Sequence, residues 1–505
     1  LHEATVINKK KALVGILTLI FLTHGAQAAD LTALSPYWND FEFQGNRVQM
    51  SLRAARQRTF LNELVTQPTA LAVDTAQSEI ISAESSFDPT MTLSTTRSST
   101  QNEVTPTQTV NDTASLTVSK AFQTGTVLSA SGSYTQADST TDTNDLATDQ
   151  VSKSISITQP LLKDAGATVN ALTIRTAEKT FDSQKMSHID TMSSKYLAVT
   201  NAYWDHWLAF QSLNIALEQY ELAKQQTVLA QKLADAGLAA NVEVLRAQTG
   251  VAQRMDAILQ AQNNIIATNN ALTKLVSSEE SEEVYTLIEP TSEPEVSEPQ
   301  LNKKQLLDEA LNNSLSIKIL ENSTDSAEMT VEAAEHQLLP EVDFNATYTE
   351  TDGKTDNQSV KFNSSEKDDW TVGVTFTYPF MQRADTEAHK QALINLKTVR
   401  YSLATQRQTI AKNVDLALNS IYQSYRKLVA AIAEEEITQR IYQAEVQQFN
   451  QGQQTSTDVL NAAQQLAVAQ NKKASAKVDF EKNKTQINYI RGALNQTVMK
   501  FLNME

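Results

Sequence analysis

The chain has 505 residues, no cysteine, a formal net charge of −17 and a pI near 4.9. The acidic balance argues against nucleic acid as a partner, which favours a basic face; its two physical readings are a solubilised surface and an acidic, cation-favouring lumen. The missing cysteines exclude disulfide staples, thiolate metal sites and a lipid-modified cysteine anchor, so any membrane attachment has to come from the fold itself.

Residues 1–28 read as a secretory signal peptide. Asn8-Lys9-Lys10-Lys11 is a positive n-region, Ala12 to Leu22 is an apolar stretch too short for a comfortable span, and Ala26-Gln27-Ala28 is a small-x-small cleavage pattern. Beyond it no apolar run approaches the ~20 residues of a transmembrane helix. A membrane role would have to use strands, whose signal is weaker.

Residues 29–86 form an N-terminal segment and a first helix, which Phe87-Asp88-Pro89 ends. Residues 87–160 then hold four candidate strands, marked by Met91 and Leu93, by Leu116 and Val118, by Leu128, Ala130 and Tyr134, and by Val151, Ile155 and Ile157. The connection around Gln123-Thr124-Gly125 is tight. The polar stretches Ser98–Asp112 and Gln136–Gln150 read as long loops, as on the outer side of membrane barrels. A long helical hairpin is expected over 161–276. Its first run, Lys163 to Ala236, contains no Pro and would reach about 110 Å. Residues 277–300, with Glu-Glu-Ser-Glu-Glu and three prolines, read as an acidic linker.

The same plan then repeats. Helices open over 301–339, and Leu339-Pro340 ends them. A hairpin occupies 340–380, with Val342, Phe344, Ala346 and Tyr348 alternating against polar neighbours, as do Val372, Val374, Phe376 and Tyr378. Residues 381–505 form a second long helical hairpin with a C-terminal tail. In both hairpins a long run meets glycine, at Gly237 and Gly452, and an acid followed by Val-Leu opens the returning helix (Glu243-Val244-Leu245, Asp458-Val459-Leu460). Along those helices Leu213, Leu217, Tyr220 and Ala223, and likewise Val459, Ala463, Leu466 and Ala469, recur at coiled-coil spacing. The first half holds one hairpin more than the second. Two to four strands cannot close a barrel, and open edges are excluded from lipid. The strands of one chain must therefore be completed by further copies, so a homo-oligomer is expected.

Phe87-Asp88-Pro89, Thr158-Gln159-Pro160-Leu161-Leu162, Leu338-Leu339-Pro340, Tyr378-Pro379-Phe380 and the two Gly turns, in this order, resemble the TolC family of outer-membrane efflux proteins. The resemblance implies an α+β membrane protein built from two repeats. A trimeric outer-membrane β-barrel would continue into a long periplasmic α-helical barrel in a Gram-negative bacterium. It also implies a periplasmic adaptor protein and an inner-membrane pump or ABC transporter as partners, outer-membrane lipid around the barrel, and no cofactor. Most members give four strands per chain. The added hairpin near 113–135 leaves two possibilities, an eighteen-stranded trimer barrel or a twelve-stranded one with the hairpin outside.

The resemblance places site residues at the hairpin tips. Gly237 and Leu238, and more weakly Gly452, match an adaptor-docking turn; the plain alternative is a left-handed helix cap. Asp458 and Glu243 match acids near the channel constriction; the plain alternative is first-turn acids complementing a helix dipole, worth ~0.3–1 kcal/mol. Asn461 stands where a second ring acid is common. Gln454 stands where some members have Arg, and Phe449 where a Tyr occurs, which argues against a gate locked by ion pairs. No catalytic constellation appears: His188, His206, His336 and His389 lack metal-ligand spacing and read as helix-surface residues, and no phosphate loop or nucleophile elbow is present. The expected function is a passive exit duct for small molecules. Type I protein secretion is the alternative use of the same duct, and a structural periplasmic coiled coil is the rival class. Tyr203-Trp204-Asp205-His206-Trp207 reads as a core contact. Tyr134, Tyr348, Tyr378 and Phe380 read as an interfacial girdle.

Overall fold

The computed structural model describes residues 47–102, 107–141, 144–277, 286–357 and 363–502. The signal-peptide reading of 1–28 and most of the acidic run in 277–300 lie outside them. Among the described residues no helix is long and apolar enough to cross a membrane.

Two helices set the scale. α4 (Leu172–Asp235, after the short α3, Ala167–Asn170) has 64 residues and α8 (Arg383–Asn450) has 68, so they run about 96 and 102 Å. Each turns at a glycine into a shorter return helix, α5 (Asn241–Val276) and α9 (Ser456–Ile490). Towards the sheet the long helices are flanked by α2 (Glu63–Glu84) and α7 (Leu315–His336), both of 22 residues. α1 (Leu52–Leu61), α6 (Lys303–Asn313) and α10 (Ala493–Phe501) complete the waist. The predicted stripe on α9 is its packed face: Val459, Leu466, Ala469 and Phe480 are all buried. On α4 Tyr220, Ala223 and Ala230 are buried, whereas Leu217 is exposed.

All six long strands form one antiparallel sheet in the order β2-β3-β4-β5-β7-β8. They span Thr90–Asn102, Thr107–Ala121, Val127–Thr141, Asn144–Pro160, Glu341–Asn357 and Asn363–Thr377. The added hairpin β3–β4 is in line between β2 and β5, so it belongs to the same sheet as the other four strands. β2 and β8 are the open edges of a single chain, and one chain forms no closed barrel.

Register separates the faces, apart from Lys120 and Lys153 on the apolar side. One face carries Met91, Leu93, Leu116, Val118, Leu128, Ala130, Ile155, Ile157, Phe344, Tyr348, Trp370, Val374 and Phe376, with Trp370 76% and Phe376 66% exposed. The other face is almost wholly hydroxyl and amide. Rungs cross the strands as Ser94–Ser115 (2.7 Å), Ser119–Ser129 (3.1 Å), Ser131–Ser154 (2.7 Å) and Thr158–Asn345 (3.0 Å). Tyr134, Tyr348 and Trp370 top the apolar band, and Tyr378 and Phe380 stand at its opposite end. The top of the band steps from Tyr134 on β4 to Tyr348 on β7, four register rows lower, as tilted strands require.

The structure corrects three sequence expectations. The stretches Ser98–Asp112 and Gln136–Gln150 are mostly strand rather than loop. β5 and β7 have 17 residues each, well beyond the ~9–11 that span a bilayer. Past the apolar band the residues on both faces are polar, so the alternation disappears. The linker 277–300 contains a strand, β6 (Leu287–Pro290), paired in parallel with β1 (Arg47–Met50), and Leu287 and Ile288 are buried. His188 and His206 are buried, not on the helix surface.

The aromatic run on α4 explains the burial of His206, because it is the clamp for the β1–β6 ribbon. The Tyr203 hydroxyl donates to the Met50 carbonyl (3.0 Å) and accepts from the Ser292 amide (2.9 Å). His206 Nε2 donates to the Ile288 carbonyl (2.6 Å), which leaves Nδ1 of the neutral ring to accept from Thr268 Oγ1 (2.9 Å). Burial lowers the His206 pKa, and its bond to the Ile288 carbonyl opposes that shift.

Candidate functional site

Both long helices end in the same backbone motif. Gly237 and Gly452 have φ of +73° and +70°, the left-handed region where a side chain is strained. Gly237 N–H donates to Ala234 O (2.9 Å) and Leu238 N–H to Leu233 O (2.8 Å); Gly452 N–H donates to Phe449 O (2.9 Å) and Gln453 N–H to Gln448 O (3.0 Å). These are paired Schellman closures, which satisfy the last carbonyls of each helix. A Cβ at either glycine would meet nothing within 4 Å, so the backbone conformation alone calls for glycine there. Leu238 projects from the first turn, 76% exposed. The equivalent position in the second turn is polar, Gln453.

The return helices start differently. Thr455 caps α9 in a full capping box: the Asp458 amide donates to its hydroxyl, and the Asp458 carboxylate accepts from the Thr455 amide (3.0 Å) and hydroxyl (2.6 Å). Those bonds, hydroxyl first, hold the Asp458 carboxyl below its ordinary value. α5 has Ala240 at its cap position and no side-chain cap. Its acid, Glu243, reaches across to the other hairpin: Oε2 accepts from the Ser456 amide in the first turn of α9 (3.2 Å), while Oε1 pairs with Arg246 (2.7 Å). A free N-terminal amide of α9 is thus satisfied by a carboxylate from α5.

The structure brings Glu243 together with the start of α9. It keeps Asp458 within its own cap. Asn461 lies exposed one turn along from Asp458. Gly237 and Leu238 sit on one turn and Gly452 on the other.

Two further contacts join α5 to α9 that the tip motifs alone do not indicate. Gly250 is buried, and a Cβ there would lie 2.8 Å from Leu460 Cδ2. One turn on, the Arg254 guanidinium donates to the Gln464 side-chain carbonyl. The signal for the first was present, since a glycine inside an otherwise helical pattern marks close packing.

A family model described as outer membrane efflux protein matches residues 66–278 and 306–493. The chain belongs to the outer membrane efflux protein family. Among its relatives is the outer membrane protein TolC of Salmonella enteritidis, 23% identical over 381 residues, which covers 73% of this chain and 74% of that protein. The fold is that of the Campylobacter jejuni CmeC outer membrane channel (TM-score 0.64, 14% identity, 89% of both chains). It is also that of the Neisseria gonorrhoeae MtrE outer membrane channel, solved in its open state (TM-score 0.63, 14% identity, 87% of this chain and 88% of that one). Outer membrane efflux proteins are transport channels rather than enzymes, which agrees with the missing catalytic constellation.

Proposed function

We propose that this outer membrane efflux protein is the passive exit duct of a tripartite export system, assembled as a homotrimer that conducts small molecules from the periplasm to the outside. The observation that carries the reading is the six-stranded sheet. It is apolar on one face and hydroxylated on the other, has two open edges, and continues into helices about 100 Å long. Exposed edges are not tolerated in hydrocarbon. Pairing β8 of each copy with β2 of the next closes the sheet, and three copies of six strands give an eighteen-stranded cylinder. Its apolar face would meet outer-membrane lipid, and its Ser/Thr face would line the lumen.

The helical tips form the periplasmic end. Three-fold symmetry repeats Asp458 and Asn461 around the axis as the constriction. Glu243 acts as a latch between the two hairpins of each subunit. Leu238, on the Gly237 turn, offers an apolar contact for a periplasmic adaptor protein. Gly452 lacks such a neighbour, so its turn contributes backbone shape alone. The adaptor would couple the duct to an inner-membrane pump or ABC transporter.

The test is assembly and conductance together. Purified protein should form three-fold particles with one shared barrel and conduct ions in planar bilayers. A monomer that gives no conductance would refute the duct.

A further inference from the structure

Further from the tip than the Gly250–Leu460 contact, α4, α5 and α9 frame a depression of about 460 Å³. Each helix contributes residues of one face to it. The small residues Ala216, Ala257, Ala261 and Ala467 leave the space, with Ile215 and Val468 beside them. Three polar groups gather at its tipward end. At the far end Ser212 Oγ donates to Asn471 Oδ1 (2.9 Å), which sets the level of α9 against α4. Seven residues tipward along both helices, about 10 Å, stand Gln219 and Gln464. Arg254 joins them from α5 by donating to the Gln464 side-chain carbonyl.

Two of these groups have bonding capacity left over. Gln219 is 2% exposed, and neither its Oε1 nor its Nε2 has a hydrogen-bond partner among the described residues. A buried amide left unpaired costs stability, so such groups normally have partners. Arg254 has the Gln464 carbonyl as its one hydrogen-bond partner and no ion pair among the described residues. Burial lowers its pKa, and no carboxylate opposes that shift. A guanidinium carries N–H donors in a planar fork that matches a carboxylate. The depression therefore offers a partner for one anion, an amide donor and acceptor at the same end, and an apolar floor. A secondary amide presents the complement of Gln219, one carbonyl and one N–H.

We infer that this depression is a binding site for organic carboxylates that carry a secondary amide and an apolar body, of which N-acyl amino acids are the simplest. Arg254 holds the carboxylate, Gln219 pairs with the amide, and the alanine floor accepts the acyl group. Gln464 keeps the guanidinium in place from α9. An inorganic anion would leave Gln219 unpaired, and a neutral apolar molecule would leave Arg254 unpaired as well. The site is independent of the duct reading, since all three helices belong to one chain.

The experiment titrates N-benzoylglycine into the full protein purified in detergent and reads binding by calorimetry. Two analogues separate the contacts: the methyl ester, which lacks the charge, and O-benzoylglycolate, which has an ester in place of the amide. Wild type should bind N-benzoylglycine several-fold more tightly than either. Arg254→Gln should weaken the acid about tenfold, the loss of one charged hydrogen-bond contact, and leave the methyl ester unchanged. Gln219→Leu should abolish the preference for amide over ester and keep that for acid over methyl ester. It should also melt no lower than wild type, because it removes an unpaired buried amide. No binding by wild type, equal affinities for the three compounds, or unchanged affinities in both variants would each overturn the inference. So would dissociation of the subunits in Arg254→Gln, which would assign the guanidinium to a contact between copies. A lower melting temperature in Gln219→Leu would do the same, by giving the amide a structural partner. Bilayer conductance of the same samples separates the two readings: normal conductance without binding sinks this site alone, whereas a wild type that does not conduct sinks the duct.

Discussion

Removing the Glu243 carboxylate isolates the bond that crosses between hairpins. In Glu243→Ala the Ser456 amide loses its carboxylate acceptor, while the capping box of α9, made by Thr455 and Asp458, stays intact. A hydrogen bond to a charged group contributes roughly 1.5–3 kcal/mol. At 3.2 Å and with the Glu243 side chain 17% exposed, the lower end applies, about 1.5 kcal/mol per subunit. That is roughly a tenfold shift in any equilibrium between latched and separated hairpins. Three independent copies would multiply to roughly a thousandfold. The assay is open probability and conductance of single channels in planar bilayers, with Arg246→Ala as the companion variant. Arg246 makes only an exposed i,i+3 pair with Glu243, worth ~0.3–0.5 kcal/mol. The expected result is a large rise in open probability for Glu243→Ala and a small one for Arg246→Ala. Equal effects would assign the loss to the local pair, and an unchanged channel in Glu243→Ala would refute the latch.

Three further outcomes are expected. Gly250→Leu should wedge α5 from α9, because even a Cβ comes within 2.8 Å of Leu460; the channel should open more readily, and a closed channel of normal stability would count against packing at this point. Leu238→Ser should leave conductance of the purified protein unchanged and reduce drug resistance in cells carrying the adaptor and pump; undiminished resistance removes Leu238 from the docking surface. Tyr489, hydrogen-bonded to Asp190, is pushed up to about 12 from 10.0, by burial first and then by the Asp190 carboxylate. The folded protein keeps that proton where the unfolded chain releases it, so this contribution to stability is full below about pH 10 and is lost as the pH rises through about 12. Tyr489→Phe should flatten the alkaline limb of a denaturation profile, and an unaltered limb would show that another group controls it.

Much of the architecture was legible because its signals are local. The Pro-led strands, the tight Gly125 turn and the two glycine-ended helices each follow from residues within one turn or one hairpin. What was not legible depends on partners far along the chain. Leu287 and Ile288 are the apolar pair in an acidic, Pro-rich stretch, and only pairing with β1, some 240 residues earlier, makes them a strand. His206 looked like a surface residue because its buried acceptor, the Ile288 carbonyl, belongs to that same unseen strand. The strand ends above the apolar band failed for another reason. Where both faces are polar the alternation vanishes, and only the high Thr content of Thr107–Thr117 and Thr347–Thr355 remained as a strand signal.

The two tip acids occupy the same place, the third residue of their helices, under identical glycine closures, yet they do different things. The difference lies three residues earlier. Thr455 offers α9 a hydroxyl that pairs with Asp458, whereas Ala240 offers α5 none, so Glu243 has no local capping partner and is free to reach Ser456. Ala240→Thr would give α5 the missing half of a capping box with Glu243. A cap of that kind contributes about 1 kcal/mol, comparable with the cross-hairpin bond it competes against. The variant should therefore melt at the same or a higher temperature while its channel opens more often, a combination that simple destabilisation of the tip cannot produce. A channel that opened no more often than wild type in Ala240→Thr, with α5 capped, would mean that the Glu243–Ser456 contact does not restrain the gate.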